Sequence, residues 1–405
     1  MKKMMKKTVM VLPGTESQIE LIRKLQQTGY RVLCVDPNDH APALQVADYY
    51  DHADILDADR CLSIAANHHV LAVLSDECDI AIPTVAYINH KLGVNSIGEE
   101  LAQLYTNKYL MRAFSHKWGL HCPKYKECSS LGEAIAFFQK CGEAKMIIKP
   151  LNSNSSRGVY TISSVEDLEK HYACTEKYTR GKDTVLCEEY IDGCEFTVDG
   201  IVIDGKHHSL AVSKKKHFSY NQNIACELYF SPYDETYDYD RLRQQNDEYV
   251  EKSGLPFGFT HAEYKFNGKD FVLIEIGARG GGNFISSRIV PAITGFDHYQ
   301  LLIDDTLGIR SDMSRIVTNA GKCAVLKFFD VKEKEGRVVA VEGKAFLEDL
   351  PEIICYEFHF QEGSVIQQAQ NDSLRIGFYI AVADDTEHLD HIMELVEKKV
   401  KIIVE

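Results

Sequence analysis

The chain has 405 residues, which at roughly 100–200 residues per domain points to two to four domains. Hydrophobic residues make up 45% and charged residues 26%, the balance of a globular chain with a sizeable core. Lysine and arginine number 45 against 60 aspartates and glutamates, a net charge of −15, which argues against a dedicated nucleic-acid binder.

The basic start MKKMMKK is followed by an apolar stretch of only residues 9–12 before Pro13-Gly14. A signal core needs roughly 7–15 apolar residues, so this start reads as a basic tail leading into a first strand. Residues 8–13 (TVMVLP), a helix carrying Ile19, Ile22 and Leu25, and the run 31–36 (RVLCVD) spell strand, helix and strand of a doubly wound sheet. Residues 70–76 (VLAVLSD) repeat the pattern, with a helix expected from about Asp79 to Leu92. Neither a dinucleotide glycine fingerprint nor a phosphate-loop motif is present, so Asp36 reads as a plain strand-end acid.

Helices are expected over about 107–118 and 130–141, then strands at 146–150 (MIIKP), 159–162 (VYTI) and 184–191 (TVLCEEYI), with a helix over 165–177 between the last two. Asp204-Gly205 and Asn267-Gly268 each separate two apolar runs and predict β-hairpins. The polar, acidic stretch from Tyr233 to Arg243 reads as a surface segment. Further strands follow, and a terminal helix presents Leu389, Ile392, Met393 and Val396 on one face. No apolar run approaches the ~18 residues of a membrane span. Twelve cysteines without a C-x-x-C motif, several in apolar runs (Cys34, Cys187, Cys323), read as reduced thiols of a cytoplasmic protein.

Four features can carry chemistry, and each has a plain structural alternative. Lys149 closes an apolar strand and is followed by the loop 152–158 (NSNSSRG), whose backbone amides and hydroxyls suit phosphate oxygens or simply make a flexible loop. The acidic stretch 188–195 (EEYIDGCE) is either a solvated turn or a strand edge offering hydrogen bonds to a base and a carboxylate to a ribose. Glu263 and Glu275 flank the Asn267-Gly268 turn, so a hairpin sets them side by side, where repulsion between them would be relieved by a divalent cation. The loop 277–283 (GARGGGN) places three consecutive glycines and Arg279 directly after that acid, as close approach of a ligand would require.

In this order, the features resemble the ATP-grasp superfamily, and within it the carboxylate–amine ligase branch that includes L-amino-acid ligases and relatives of carbamoyl phosphate synthetase and biotin carboxylase. The resemblance extends over nearly the whole chain. It implies a mixed α/β and α+β architecture: a doubly wound pre-grasp domain (1–107), an N-lobe with the phosphate loop (108–185), a C-lobe with the metal site (186–310) and a C-terminal α+β domain (311–405). TNKYLMR makes Lys108 the first nucleotide lysine, and IIKP makes Lys149 the second, reaching the α and β phosphates. The loop with Ser153, Ser155, Ser156 and Gly158 becomes the phosphate cover. Glu188, Tyr190 and Ile191 become the adenine hinge and Glu195 the ribose ligand. Glu263 and Glu275 match the metal ligands and Arg279 the arginine that stabilises the transferred phosphate. Gly277 departs from the pattern, standing where many members have asparagine. Lys216 or His217 lies where members place basic groups near the γ-phosphate, and Asn283 and Arg288 are substrate candidates by proximity to the metal loop.

What the resemblance implies is an enzyme that uses ATP with Mg2+, or Mn2+ in its place, to activate a carboxylate as an acyl phosphate and join it to an amine, releasing ADP and phosphate. Its partners would be small molecules, with no nucleic acid or membrane, and a homodimer is the assembly expected of the family. Two other readings keep the fold: an ATP-dependent carboxylase or purine-pathway ligase, and an ATP-binding regulator without catalysis.

Overall fold

The computed structural model describes residues 7–142, 145–152, 157–179, 184–309, 321–331 and 335–405. The apolar runs of the N-terminal part form β1 (Thr8–Val11), β2 (Arg31–Val35), β3 (Tyr49–Asp51) and β4 (Val70–Leu74), a parallel sheet in the order β3-β2-β1-β4. Parallel pairing requires crossovers, and α1 (Ile19–Gln27), α2 (Ala58–Asn67) and α3 (Ile82–Leu92) intervene or follow. Helix α1 buries Leu21, Ile22 and Leu25, a spacing that keeps one face on the sheet. Asp36 is engaged by its own turn: its carboxylate accepts from the Gly14 and Asn38 amides, each at 2.8 Å.

After α4 (Glu99–Leu104) and α5 (Lys108–Lys117) comes a small antiparallel sheet of β5 (Tyr125–Cys128), β6 (Met146–Pro150), β7 (Tyr160–Ile162) and β8 (Val185–Glu189), in the order β5-β8-β6-β7. Helices α6 (Leu131–Lys140) and α7 (Val165–Glu176) cover one face, burying Phe138, Met146, Leu168 and Cys187 in a core of its own.

The long hairpins come next. Strands β9 (Cys194–Ile203) and β10 (Lys206–Phe218) meet at Asp204-Gly205, where both φ angles are positive (50° and 74°), as a tight two-residue hairpin requires. Strand β11 (Asn221–Phe230) follows, and then β12 (Gly258–Phe266) and β13 (Phe271–Gly277), which turn at Asn267-Gly268. Between β11 and β12 lies α8 (Tyr239–Ser253), which overturns part of the expected surface segment: Tyr239 is 3% and Leu242 0% exposed, because that stretch supplies the helix's buried face.

Helices α9 (Val290–Thr294) and α10 (His298–Leu307) precede the C-terminal part. It contributes β14 (Cys323–Phe328), β15 (Glu335–Glu342), α11 (Lys344–Asp349), β16 (Ile353–Phe358), β17 (Val365–Gln367), β18 (Gly377–Ala383), α12 (Thr386–Lys399) and β19 (Lys401–Val404). Strand β14 pairs with β11, so the central sheet runs through in the order β13-β12-β9-β10-β11-β14-β18-β16. Strands β17, β15 and β19 form a separate sheet. Helix α12 buries Leu389, Ile392, Met393 and Val396, as their spacing predicts.

Two clusters fix these parts against one another. Leu74 of the first sheet packs with Ile201, Phe259 and Leu302, so the N-terminal unit shares a core with the central sheet. Phe284, Ile285 and Ile289, in the segment after β13, pack against Leu326, Phe378 and Ile380. Each fully buried side chain of this kind stabilises by roughly 1.5–3 kcal/mol, so the loop after Glu275 is held from both sides. No helix among the described residues is long and apolar enough to cross a membrane.

Candidate functional site

Asn107 caps α5, its side chain accepting from the Tyr109 and Leu110 amides at 3.0 and 3.2 Å, and this sets Lys108 at the first helical position. The Lys108 Nζ lies 2.7 Å from Glu275 Oε1. One turn on, Arg112 is 0% exposed and points to Glu188, its Nε 2.7 Å from Oε1. Lys149 on β6 reaches the other oxygen of the same carboxylate at 2.6 Å. Burial alone would push the Glu188 carboxyl up, but Arg112 and Lys149 outweigh it and hold its pKa below the usual value. Burial, only partly offset by Glu188, lowers the pKa of Lys149. Sequence reasoning missed Arg112; the signal was its spacing of four from Lys108, which puts both on one helix face.

Glu263 and Glu275 stand directly opposite each other in the β12–β13 register, as the hairpin predicts. The Lys215 Nζ joins Glu263 at 2.7 Å to Glu195 at 2.8 Å. His217 Nε2 also approaches Glu195, at 3.4 Å. Burial works to raise the Glu195 pKa, yet Lys215 and His217 bring it down to about 2. Beside Glu263, His261 Nδ1 is 2.9 Å from Asp199 Oδ1. Burial would lower the His261 pKa, but Asp199 dominates and lifts it to about 9.

The glycine loop after β13 is fastened by acids of the N-terminal unit. Arg279 forms a two-point contact with Asp79, Nε to Oδ1 at 2.9 Å and the second nitrogen to Oδ2 at 2.7 Å. The Gly280 amide donates to Asp76 at 2.8 Å and the Gly281 amide to Asp199 at 3.0 Å. Glu77 accepts from the Phe284 amide at 3.1 Å, the Ser287 amide at 3.0 Å and the Ser287 hydroxyl at 2.7 Å. Burial, together with the neighbouring Asp76, raises the Glu77 pKa to about 8 despite these donors. Asp76, Glu77 and Asp79 were not singled out from sequence; a strand-end acid shows its partner only once the distant loop is in place.

These groups surround one cavity of about 460 Å³. Lys108, Lys149, Glu188, Glu195, Glu263, Glu275 and Arg279 all line it, as do His217 and Asn283. Its apolar end is made by Ile147, Val159, Ile191 and Ile274, with Tyr190 beside them under the Lys265 ammonium, 5.0 Å from the ring centre. Arg375, brought in by the C-terminal part, is also in the wall; it is held by Asp372 at 2.6 Å and lies 3.8 Å from the Phe328 ring centre. Gly158, at φ 74°, sits outside the wall, its carbonyl accepting from Thr175. Ser153, Ser155 and Ser156 lie outside the described residues.

Two candidates fail on geometry. Lys216 points to the other face of β10, pairs with Glu227 at 2.6 Å and is 63% exposed at its side chain; Lys215 is the lysine that faces the cavity. Arg288 lies over the Phe284 ring at 4.9 Å and faces Glu20 at 3.8 Å, away from the cavity wall.

Among the described residues no group of three or more histidine, cysteine or acidic side chains could hold a metal ion alone. Two facing carboxylates still suit Mg2+, which is commonly held by one or two carboxylates together with substrate phosphates and water. Glu263 and Glu275 each meet an ammonium, Lys215 and Lys108 at 2.7 Å, on one carboxylate oxygen, which leaves the other oxygen of each as the donor a cation would use.

Residues 143–287 match the ATP-grasp domain family, and residues 329–405 match the L-amino acid ligase C-terminal domain 2 family. A formate-dependent phosphoribosylglycinamide formyltransferase of Chlorobaculum tepidum is 30% identical over 186 residues, 44% of this chain and 45% of that protein. The chain spans about half the length of the curated relatives it matches. The crystal structure of an L-amino acid ligase from Bacillus licheniformis superimposes with a TM-score of 0.82 at 18% identity, over 99% of both chains. A biotin carboxylase complex with β-γ-ATP from Campylobacter jejuni gives 0.73 at 14% identity, over 98% of this chain and 92% of that one. The chain thus carries an ATP-grasp domain on the fold common to these ligases, with a C-terminal domain of the L-amino acid ligase kind.

Proposed function

We propose that this ATP-grasp chain is a carboxylate–amine ligase that makes an acyl phosphate from ATP and a carboxylate, then an amide, with release of ADP and phosphate. The observation that carries this reading is the in-register pair Glu263–Glu275, ringed by Lys108, Lys149, Lys215 and Arg279 in a single cavity. A carboxylate is a poor acyl donor because oxide would have to leave, and phosphorylation supplies a good leaving group. Phosphoryl transfer asks the protein chiefly for positioning and neutralisation of charge.

In this reading the apolar end at Ile147, Tyr190 and Ile191 takes the base, and Glu195 the ribose. Lys108 and Lys149 take the α and β phosphates, with Glu188 holding Lys149 in place from behind rather than meeting the base. Ser153, Ser155, Ser156 and Gly158 belong to the covering loop. Glu263 and Glu275 would hold Mg2+, or Mn2+ in its place, which when bound neutralises charge on the phosphates. Arg279, fixed by Asp79, and His217 face the transferred phosphate. Arg375 and Asn283 line the substrate end. Glu77, when ionised, faces a positive group such as the α-amino group of an amino-acid donor. The division at residues 107, 185 and 310, a cytoplasmic location and a homodimer belong to the same reading.

The match of residues 329–405 to L-amino acid ligases favours an amino acid as donor. The 30% identity to a formate-dependent formyltransferase keeps a purine-pathway ligase as the second reading. An ADP-release screen with amino acids in pairs, formate and bicarbonate separates them: pairs of amino acids should give ADP. Response to formate or bicarbonate alone would favour the second reading, and ATP binding without ADP release under every condition would favour a regulator.

A further inference from the structure

Two residues before Glu263 on β12, and so on the same face of the strand, stands His261, which lines the main cavity and is 7% exposed. The register sets it directly opposite Asp199 of β9, itself 2% exposed. One Asp199 oxygen, Oδ1, accepts both from His261 Nδ1 at 2.9 Å and from the Gly281 amide at 3.0 Å. The ring is thereby braced from behind, and its other nitrogen, Nε2, faces Glu263 Oε1 at 3.9 Å. Lys215 approaches that same oxygen at 2.7 Å. Oε1 thus has a nitrogen on each of two sides, and Oε2 is the oxygen left for a cation. The two nitrogens differ in permanence. Lys215 also serves Glu195, at 2.8 Å, and its flexible stem lets the ammonium turn to a phosphate. His261 is short and tied to Asp199, so it stays. Gly277, opposite His261 on β13, brings no side chain that could take its place.

We propose that His261, braced by Asp199, is a positioning residue that makes Glu263 a one-oxygen ligand and thereby sets the cation preference of the site, Mg2+ over the larger Ca2+. The proposal rests on the metal assignment within the ligase reading and adds to it the residue that chooses the ion. Mg2+ holds about six ligands at roughly 2.0–2.1 Å in a near-octahedral shell, whereas Ca2+ takes about 6–8 oxygens at roughly 2.3–2.6 Å, often both oxygens of one carboxylate. A Glu263 fixed through Oε1 offers Oε2 alone, which meets the first demand and withholds a ligand from the second. Partners behind a metal ligand act in this way, by fixing its orientation. Freed from His261, the carboxylate can turn to present both oxygens, and Ca2+ gains most.

Two substitutions separate the two contacts of the ring. His261→Asn keeps a donor near the Nδ1 position, for Asp199, and has nothing at the Nε2 position; His261→Gln keeps a donor near the Nε2 position, toward Glu263. Calorimetric titration of the full-length protein with an ATP analogue bridged by a β,γ-imido group, in Mg2+ and in Ca2+, reads the preference without turnover. The wild type should bind the analogue at least about tenfold more tightly with Mg2+ than with Ca2+. His261→Asn should cut that ratio at least about fivefold, mainly through tighter binding with Ca2+, and His261→Gln should restore it to within about twofold. Equal affinity with both ions in the wild type, an unchanged ratio in His261→Asn, or a parallel loss with both ions in both variants would overturn the proposal. Wild-type binding that is the same in EDTA as in Mg2+ would instead remove the metal assignment on which it rests.

Discussion

The Lys149 ammonium lies 2.6 Å from the Glu188 carboxylate, and both side chains are 5% exposed or less. Arg112, fully buried, grips the same carboxylate at 2.7 Å. Two cations thus share one anion in a nearly dry setting, and the uncompensated positive charge lies where a phosphate could offset it. Removing one partner of a buried ion pair costs about 3–5 kcal/mol, because the other charge stays behind unpaired. Glu188→Ala should therefore destabilise the fold by that order, measured by urea unfolding. Added ATP should recover part of the loss by neutralising Lys149; a variant as stable as the wild type would remove Glu188 from this role.

The facing acids predict a different outcome. Glu275→Ala and Glu263→Ala should stop ADP formation, by at least about a hundredfold on the scale of a lost electrostatic stabiliser, while circular dichroism stays native. Glu275 is about one-third exposed at its side chain, so its loss costs little packing. Chelation of divalent cations should abolish wild-type turnover, and Mg2+ or Mn2+ should restore it. Retained turnover in either variant would sink the metal assignment.

Much of this arrangement was legible in the sequence because it depends on local rules. The Asn267-Gly268 turn dictates a hairpin, and counting back from it puts Glu263 beside Glu275. The helix before Lys149 and the hairpin at Asp204-Gly205 follow from periodicity in the same way. Arg288 and Lys216 were misplaced because proximity in sequence does not say which face a side chain takes. Alternation along β10 settles it once one position is fixed: Lys215 and His217 line the cavity, and Lys216 between them takes the opposite face. Asp79, Glu77 and Arg375 were invisible for a further reason. Each meets its partner or the cavity across a long chain separation, and nothing local marks an acid that waits for an arginine two hundred residues away.

Three consecutive glycines after Glu275 suit close approach of a neighbour, and the structure divides that need unequally. A methyl group on Gly280 would lie 2.1 Å from Ser286 Oγ, and one on Gly281 2.6 Å from Asp199 Oδ1, whereas one on Gly282 meets nothing within 4 Å. Gly280→Ala and Gly281→Ala should each destabilise by about 1–3 kcal/mol or more, as overpacking does. They should also lower turnover, because Asp76 and Asp199 position this loop. Gly282→Ala should leave melting temperature and KM near wild type. Thermal unfolding of the three variants side by side decides the matter, and a Gly281→Ala protein as stable as Gly282→Ala would contradict the close approach.

Glu77 ties binding to pH. Its pKa, raised to about 8 by burial and by Asp76, exceeds the ~4.3 of an unfolded glutamate. Between those values the folded chain holds a proton that the unfolded chain has lost, so this group makes stability fall as pH rises through that window. Ionisation nevertheless gives the cavity wall a negative charge opposite a donor's amino group. For an amino-acid donor, kcat/KM should therefore rise with pH to a plateau above about 8, while a donor without an amino group should show no such limb. Glu77→Gln should remove the limb and weaken the fall in stability, leaving Mg2+-dependent ATP binding intact. If the limb survives in Glu77→Gln, the titrating group is another and the donor is recognised elsewhere.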